Sequence, residues 1–207
     1  MPDRIHDYHE GNRFFHDRFD TRRLADAWDE RTTEFVDDFA RGFIQAADFF
    51  FLATCDHRGL PTLNYKGGDP GFVRVLDDRT LAFPNYDGNG RYHSMGNLLK
   101  NPNVALLFID FENPRRLKVQ GAAEVRLDDE LLSEYTEAQF IVRVTTTEVF
   151  RNCPRYIHKY QRLDNSPFVP REGCETPITS WKLQPNNLPL LPANDPARTH
   201  GKNAERQ

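Results

Sequence analysis

Short apolar runs recur at hairpin spacing through the middle of this chain, and that pattern constrains its fold more than any other feature. Phe49 to Thr54 reads as a buried strand, Asp56 to Gly59 as a turn, and Pro61 to Tyr65 as the start of the next strand. Gly67, Gly68, Pro70 and Gly71 then interrupt the pattern, which predicts a bulge or bend where a ligand meets backbone. Strand character resumes over Phe72 to Leu76 and again over Thr80 to Phe83, with Asp77 and Asp78 turning the chain between them. Val104 to Ile109 is another buried run. Leu117, Val119, Gly121, Ala123 and Val125 alternate with Lys118, Gln120, Ala122, Glu124 and Arg126, the period of two of a half-exposed strand. Thr145 to Phe150 is rich in β-branched residues and reads as one more. The fold class implied is mainly β, a small closed antiparallel barrel with flanking helices.

Outside the strands the texture changes. Residues 1–20 read as a charged, solvated N-terminal arm, in which His6, His9 and His16 match no tight metal-ligand spacing. Leu24, Trp28, Phe35, Phe39 and Phe43 recur at helical spacing, predicting one or two amphipathic helices whose aromatics pack on the core. Asp128, Asp129 and Glu130 ahead of Leu131 predict a capped helix running to about Val142. A short helix is expected to begin near Pro154. Seven of the 14 prolines follow Asp164, so the chain divides into an arm (1–20), a barrel domain (21–163) and a Pro-rich extension (164–207). Trp181 and the leucines near 188–191 are expected to pin that extension locally, and the last fifteen residues to be disordered.

Composition narrows the function classes. A net charge of −4 gives no reason to expect nucleic acid or an anionic membrane as partner. No apolar run approaches the roughly 20 residues of a membrane span, and none near Met1 resembles a secretory signal. The 3 cysteines are odd in number and far apart, which suits a reducing cytoplasm. There is no G-x-S-x-G, no H-E-x-x-H and no conspicuous carboxylate pair, so catalysis here calls for a cofactor.

The stretch from Phe83 to Asn97 offers a place for one. A strand leads into Gly88, Asn89, Gly90, Arg91 and Ser94 and then into a helical run from Met95 to Lys100. Glycines let backbone N–H groups approach an anion, a helix start adds donors, and Arg91 and Ser94 can bond phosphate oxygens. The same residues also read as a polar loop with an N-cap serine, and both readings stand at this level.

Order and spacing carry a family resemblance. Phe49-to-Gly59, Lys66-to-Arg74, Leu81-to-Asn85, Gly88-Asn89, Ser94-to-Asn97, Asn101-to-Asp110 and Leu117-to-Val125 follow one another in a series that resembles the pyridoxamine 5′-phosphate oxidase-related, FMN-binding split-barrel family. The resemblance implies an FMN-binding split barrel, a homodimer, a small-molecule substrate and FMN-dependent oxidoreductase activity. Its alternatives are a non-catalytic flavin- or haem-binding sensor or storage module, and a deazaflavin-dependent reductase. The family's flavin-lining positions correspond to Phe72, Val73 and Arg74, to Pro84 and Asn85, and to Asn89, Arg91 and Ser94. Arg74 and Arg91 would neutralise the phosphate. Asn97 either touches the ligand or bonds backbone. Arg155 and Tyr156 are candidates to complete the flavin site of a second subunit. The phosphate loop departs from the oxidase itself, which has consecutive basic residues after its serine, so the pyridoxal substrate site does not carry over.

Overall fold

The structure, a computed structural model, describes residues 8–198. The chain divides into two compact units, residues 1–162 and 163–207. In the first, α1 (Glu10–Arg18), α2 (Arg22–Asp29) and α3 (Asp38–Ala46) precede the strands β1 (Phe49–Cys55), β2 (Pro61–Gly67), β3 (Arg74–Val75) and β4 (Thr80–Asn85). Helix α4 (His93–Leu98) follows, then β5 (Asn103–Asp110), β6 (Arg115–Arg126), a 3-10 turn (Glu130–Glu134) and β7 (Phe140–Asn152). All strand pairs are antiparallel, in the order β2-β1-β5-β6-β7-β4-β3.

Three strands separate β1 from β4 in that order, yet the Phe50 ring of β1 lies 5.0 Å from the Phe83 ring of β4. The sheet is therefore rolled upon itself, and its inner face is the core. Phe50, Leu52, Leu81, Phe83, Leu106, Phe108, Leu117, Val119 and Val142 are buried there. The period-two pattern places them: β1 and β6 bury alternate residues, and β6 presents Leu117, Val119, Gly121 and Ala123 inward. The register between β6 and β7 shifts between Gln120 and Gly121. A Cβ at Gly121 would lie 2.3 Å from the Thr145 carbonyl oxygen, so only glycine fits that close strand approach.

Several expectations are corrected. The helix expected to reach Val142 is a single 3-10 turn, because Phe140 to Val144 extend the expected strand toward the N-terminus as part of β7. Asp129 caps that turn by accepting from Leu131 N at 2.9 Å, and its buried carboxylate also holds Arg143 of β7. Strand character over Phe72 to Leu76 shrinks to Arg74–Val75. The glycine break before it accommodates the Phe72 ring, which would clash with a Cβ on Gly68 at 2.4 Å and stacks on Phe50 at 5.8 Å. Near Pro154 there is one turn, closed by Ile157 N to Pro154 O at 2.9 Å, and no helix. The arm carries α1, which His9 caps by accepting from Gly11 N. His6 lies outside the described residues.

Of the helical aromatics, Phe43 packs against the core as expected and the others do not. α3 faces the barrel with Ala40 and Ile44, while Leu24, Trp28, Phe35 and Phe39 are exposed. Phe39 stacks on Phe43 at 5.8 Å, and the Arg151 guanidinium lies 3.8 Å over its ring. Helical spacing identifies a stripe of residues on one side, and the neighbouring layer decides whether that stripe is buried.

The second unit is held by a Lys182–Asp195 ion pair of 2.7 Å, both side chains largely buried, with Leu191 and Ala197 buried beside it. Of the last fifteen residues, 193–198 are ordered by contacts such as Arg198 Nη1 to Leu191 O at 2.9 Å. The remainder, 199–207, lies outside the described residues. Among the described residues no helix is long and apolar enough to cross a membrane.

Candidate functional site

The site is built around an inversion in β2. Thr62, Asn64 and Lys66 are half-buried, whereas Leu63 and Tyr65 between them are 66% and 63% exposed. Polar side chains on the less exposed face of a strand need partners. Here they find them on α4 and at the end of β4. Asn64 Nδ2 donates to Ser94 Oγ at 2.6 Å. Lys66 Nζ donates to Asn85 Oδ1 at 3.2 Å. Thr62 and Thr54 share a 2.8 Å hydroxyl contact, and Asn97 Nδ2 donates to both, at 3.3 and 3.0 Å.

Asn85 is buried and fully engaged. Its Nδ2 donates to Tyr86 O at 3.1 Å and to Gln139 Oε1 at 3.0 Å, and its carbonyl accepts from Gln139 N at 2.8 Å. Between Asn85 and α4 runs the glycine-containing loop. Asn89 Oδ1 accepts from Arg91 N at 3.1 Å, and both residues are exposed. The guanidinium of Arg91 has no partner among the described residues. The first backbone bond of α4 runs from Gly96 N to Tyr92 O at 2.7 Å, so the N–H groups of His93, Ser94 and Met95 have no acceptor within the helix. Ser94 is therefore the second residue of α4 rather than its N-cap.

Lys66 dominates the local electrostatics. Partial burial draws its ammonium pKa below the usual lysine range, and its only hydrogen-bond partner among the described residues is the neutral Asn85 amide. A half-desolvated cation beside a neutral oxygen is disposed to meet an electron-rich or anionic group.

The sequence-derived candidates separate into three sets. Asn85, Ser94 and Asn97 join this cluster, Asn89 and Arg91 stand exposed on the loop between β4 and α4, and Pro84 is buried in β4. Phe72 and Val73 are core residues, and the Phe72 carbonyl accepts from Tyr135 OH at 3.0 Å. The Arg74 guanidinium pairs with Glu134 and lies 5.0 Å over the Tyr135 ring, both outside the 86–92 loop. Arg155 and Tyr156 are the central residues of the turn after β7, both exposed. The segment that follows is held by Tyr160 edge-on to Phe111 at 5.3 Å and by an Arg162–Asp48 ion pair. Sequence reasoning missed Asn64, Thr54, Thr62 and Gln139. The alternation of Thr62, Asn64 and Lys66 with Leu63 and Tyr65 was legible, but which face of β2 turned inward was not.

Two other features carry no chemistry of their own. An open groove of about 630 Å³ is lined by Glu124, Arg126, Asp129, Glu130 and Arg143 and shares no residue with the cluster. Its charges satisfy one another, with Arg143 Nε 2.6 Å from Asp129 Oδ2 and Nη2 2.9 Å from Glu130 Oε1. Among the described residues no group of three or more His, Cys, Asp or Glu is arranged to hold a metal ion.

A rolled antiparallel sheet with a donor-rich loop on one edge also has a counterpart among known families. A family model described as pyridoxamine 5′-phosphate oxidase matches residues 36–160, 125 of the 207. The chain belongs to that family, whose fold is the FMN-binding split barrel. No curated protein sequence matches the chain. Among solved structures, a putative pyridoxamine 5′-phosphate oxidase of Lactobacillus delbrueckii is 25% identical, with a TM-score of 0.47 over 57% of this chain and 95% of that one. The heme storage protein HutZ of Vibrio cholerae is 18% identical, with a TM-score of 0.42 over 56% and 93%. An FMN-binding protein of Syntrophomonas wolfei is 12% identical, with a TM-score of 0.41 over 63% and 95%.

Proposed function

We propose that this chain is a homodimeric, FMN-dependent oxidoreductase acting on a small organic molecule. The observation that carries the reading is the pairing of Lys66 with Asn85 and of Asn64 with Ser94, which brings β2, the end of β4 and the first turn of α4 together on one edge of a split barrel, with Arg91 on the loop between β4 and α4. The donor set fits the cofactor. Arg91, Asn89 and the N–H groups of His93, Ser94 and Met95 suit a phosphate dianion. Lys66 and the Asn85 region suit the polar edge of a flavin ring, where a positive charge favours the electron-rich form. Bound FMN would supply the redox chemistry by accepting and returning an electron pair. The protein's share is to bind, orient and tune it.

A second copy is proposed to cover the outer face of β1, β2 and β5. Phe49 stacks on Tyr65 at 5.4 Å and on Phe111 at 5.8 Å, and Leu63 stands exposed beside them on the strand that carries the site. Apolar side chains more exposed than the polar ones between them are expected at an interface. Leu63→Glu should convert a dimer to a monomer by light scattering. A wild-type monomer that holds FMN would contradict this part of the reading.

Activity is tested by mixing the flavin-loaded protein anaerobically with NADH and with NADPH. Bleaching of the flavin band, and its return with oxygen or a small acceptor, supports an oxidoreductase. Bleaching by dithionite alone would favour a storage or sensing role, and bleaching by a reduced deazaflavin alone a deazaflavin-dependent reductase.

A further inference from the structure

The loop from Tyr86 to Tyr92 is fastened to Gln139, the residue just before β7, which the family resemblance did not single out. Gln139 Oε1 accepts from Asn85 Nδ2 at 3.0 Å and from Tyr92 OH at 3.1 Å, on the two sides of that loop. Gln139 Nε2 lies 3.5 Å from Asp87 Oδ1 within it. The Gln139 backbone N–H bonds Asn85 O at 2.8 Å, which anchors the residue whatever its side chain does.

Backbone conformation gives a second, independent observation. Among the described residues three non-glycines have positive φ, and two of them flank this contact: Tyr92 at 47° and Glu137 at 57°. Each left-handed non-glycine costs of order 1 kcal/mol and persists only where its surroundings enforce it. Tyr92 is the residue from which α4 starts, and its ring sits 6.5 Å from Phe140. Its strained backbone sets the start of α4, whose Ser94 and Asn97 meet Asn64 and Thr62 of β2.

We propose that Gln139 is a positioning residue that locks the 86–92 loop in its ligand-ready form, so that the phosphate cradle exists before the ligand arrives. The inference rests on the FMN reading, but the lock itself is a property of the flavin-free chain. Pre-organisation of this kind raises affinity by removing the cost of ordering the loop at the moment of binding. Without the two accepted bonds, Tyr92 has less reason to hold its left-handed backbone, and the loop samples forms in which Arg91 and the α4 amides diverge.

The test uses the full chain with Gln139→Leu, Tyr92→Phe and the double variant. Hydrogen exchange on the flavin-free proteins should rise about tenfold over residues 86–95 in Gln139→Leu and remain at the wild-type rate over β5. FMN should bind Gln139→Leu about tenfold more weakly and Tyr92→Phe about threefold more weakly. The double variant should be no worse than Gln139→Leu, since both substitutions break one contact. Riboflavin, which lacks the phosphate, should change by less than about twofold throughout. Unchanged exchange over 86–95 in both single variants would overturn the lock, whatever binds there. Equal losses of FMN and riboflavin would overturn its action through the phosphate loop. If wild type fails to bind FMN, the flavin reading falls, and exchange still decides the lock.

Discussion

Removing the Asn97 side chain separates a strut from a ligand contact. Asn97 Nδ2 donates to Thr54 Oγ1 and Thr62 Oγ1, tying α4 to β1 and β2. Each such bond contributes about 0.5–1.5 kcal/mol net, so losing both costs roughly 2 kcal/mol. Alanine is the better helix former by roughly 0.5 kcal/mol, which offsets part of that. The net loss in Asn97→Ala is about 1.5 kcal/mol. For a unit of this size each kcal/mol moves Tm by roughly 2–4 °C, so a drop of about 3–6 °C is expected. The assay is a thermal melt of the flavin-free protein, followed by FMN titration. FMN affinity should fall as well, because α4 carries the proposed phosphate donors. A Tm within about 1 °C of wild type, together with lost FMN binding, would refute the argument and make Asn97 a direct contact.

Further outcomes follow from the geometry. Arg91→Ala should weaken FMN roughly tenfold to a hundredfold and leave riboflavin nearly unchanged, as expected for one lost charge-assisted contact. Arg74→Ala should change FMN affinity by less than about twofold, because its guanidinium is committed to Glu134 and Tyr135; a tenfold loss would return Arg74 to the phosphate site. Burial pushes the Tyr135 phenol up to about 12. The neutral form is thus favoured in the folded state, so its stabilisation is intact below about pH 10 and is lost as pH rises through about 12. Phenolate absorbance should show a late-titrating tyrosine that disappears in Tyr135→Phe; an unchanged titration would contradict the assignment.

The sequence made the strands legible because burial alternates along them with a period of two, as in β1 and β6. The family followed from the order of its motifs. The remainder was illegible for identifiable reasons. Asp128, Asp129 and Glu130 look like any helix start, but the β-branched run beyond Phe140 was claimed by pairing with β4 and β6. Trp28 and Phe39 show helical spacing, which says nothing of what covers them. In the site, Arg91 and Ser94 were visible as phosphate-binding types placed after glycines. Asn64 and Gln139 were not, because their roles exist only once β2, α4 and the start of β7 come together. Arg74 was misleading for a related reason, since its partner Glu134 is sixty residues away in sequence.

The central claim is that the bound chromophore is FMN. The absorption spectrum of the purified protein, with chromatography of whatever is released on denaturation, tests it most directly. The account predicts a flavin band and FMN as the released species, or, for protein purified without flavin, uptake of added FMN at micromolar concentration. A haem Soret band, recovery of FAD alone, or no binding of added FMN would contradict it.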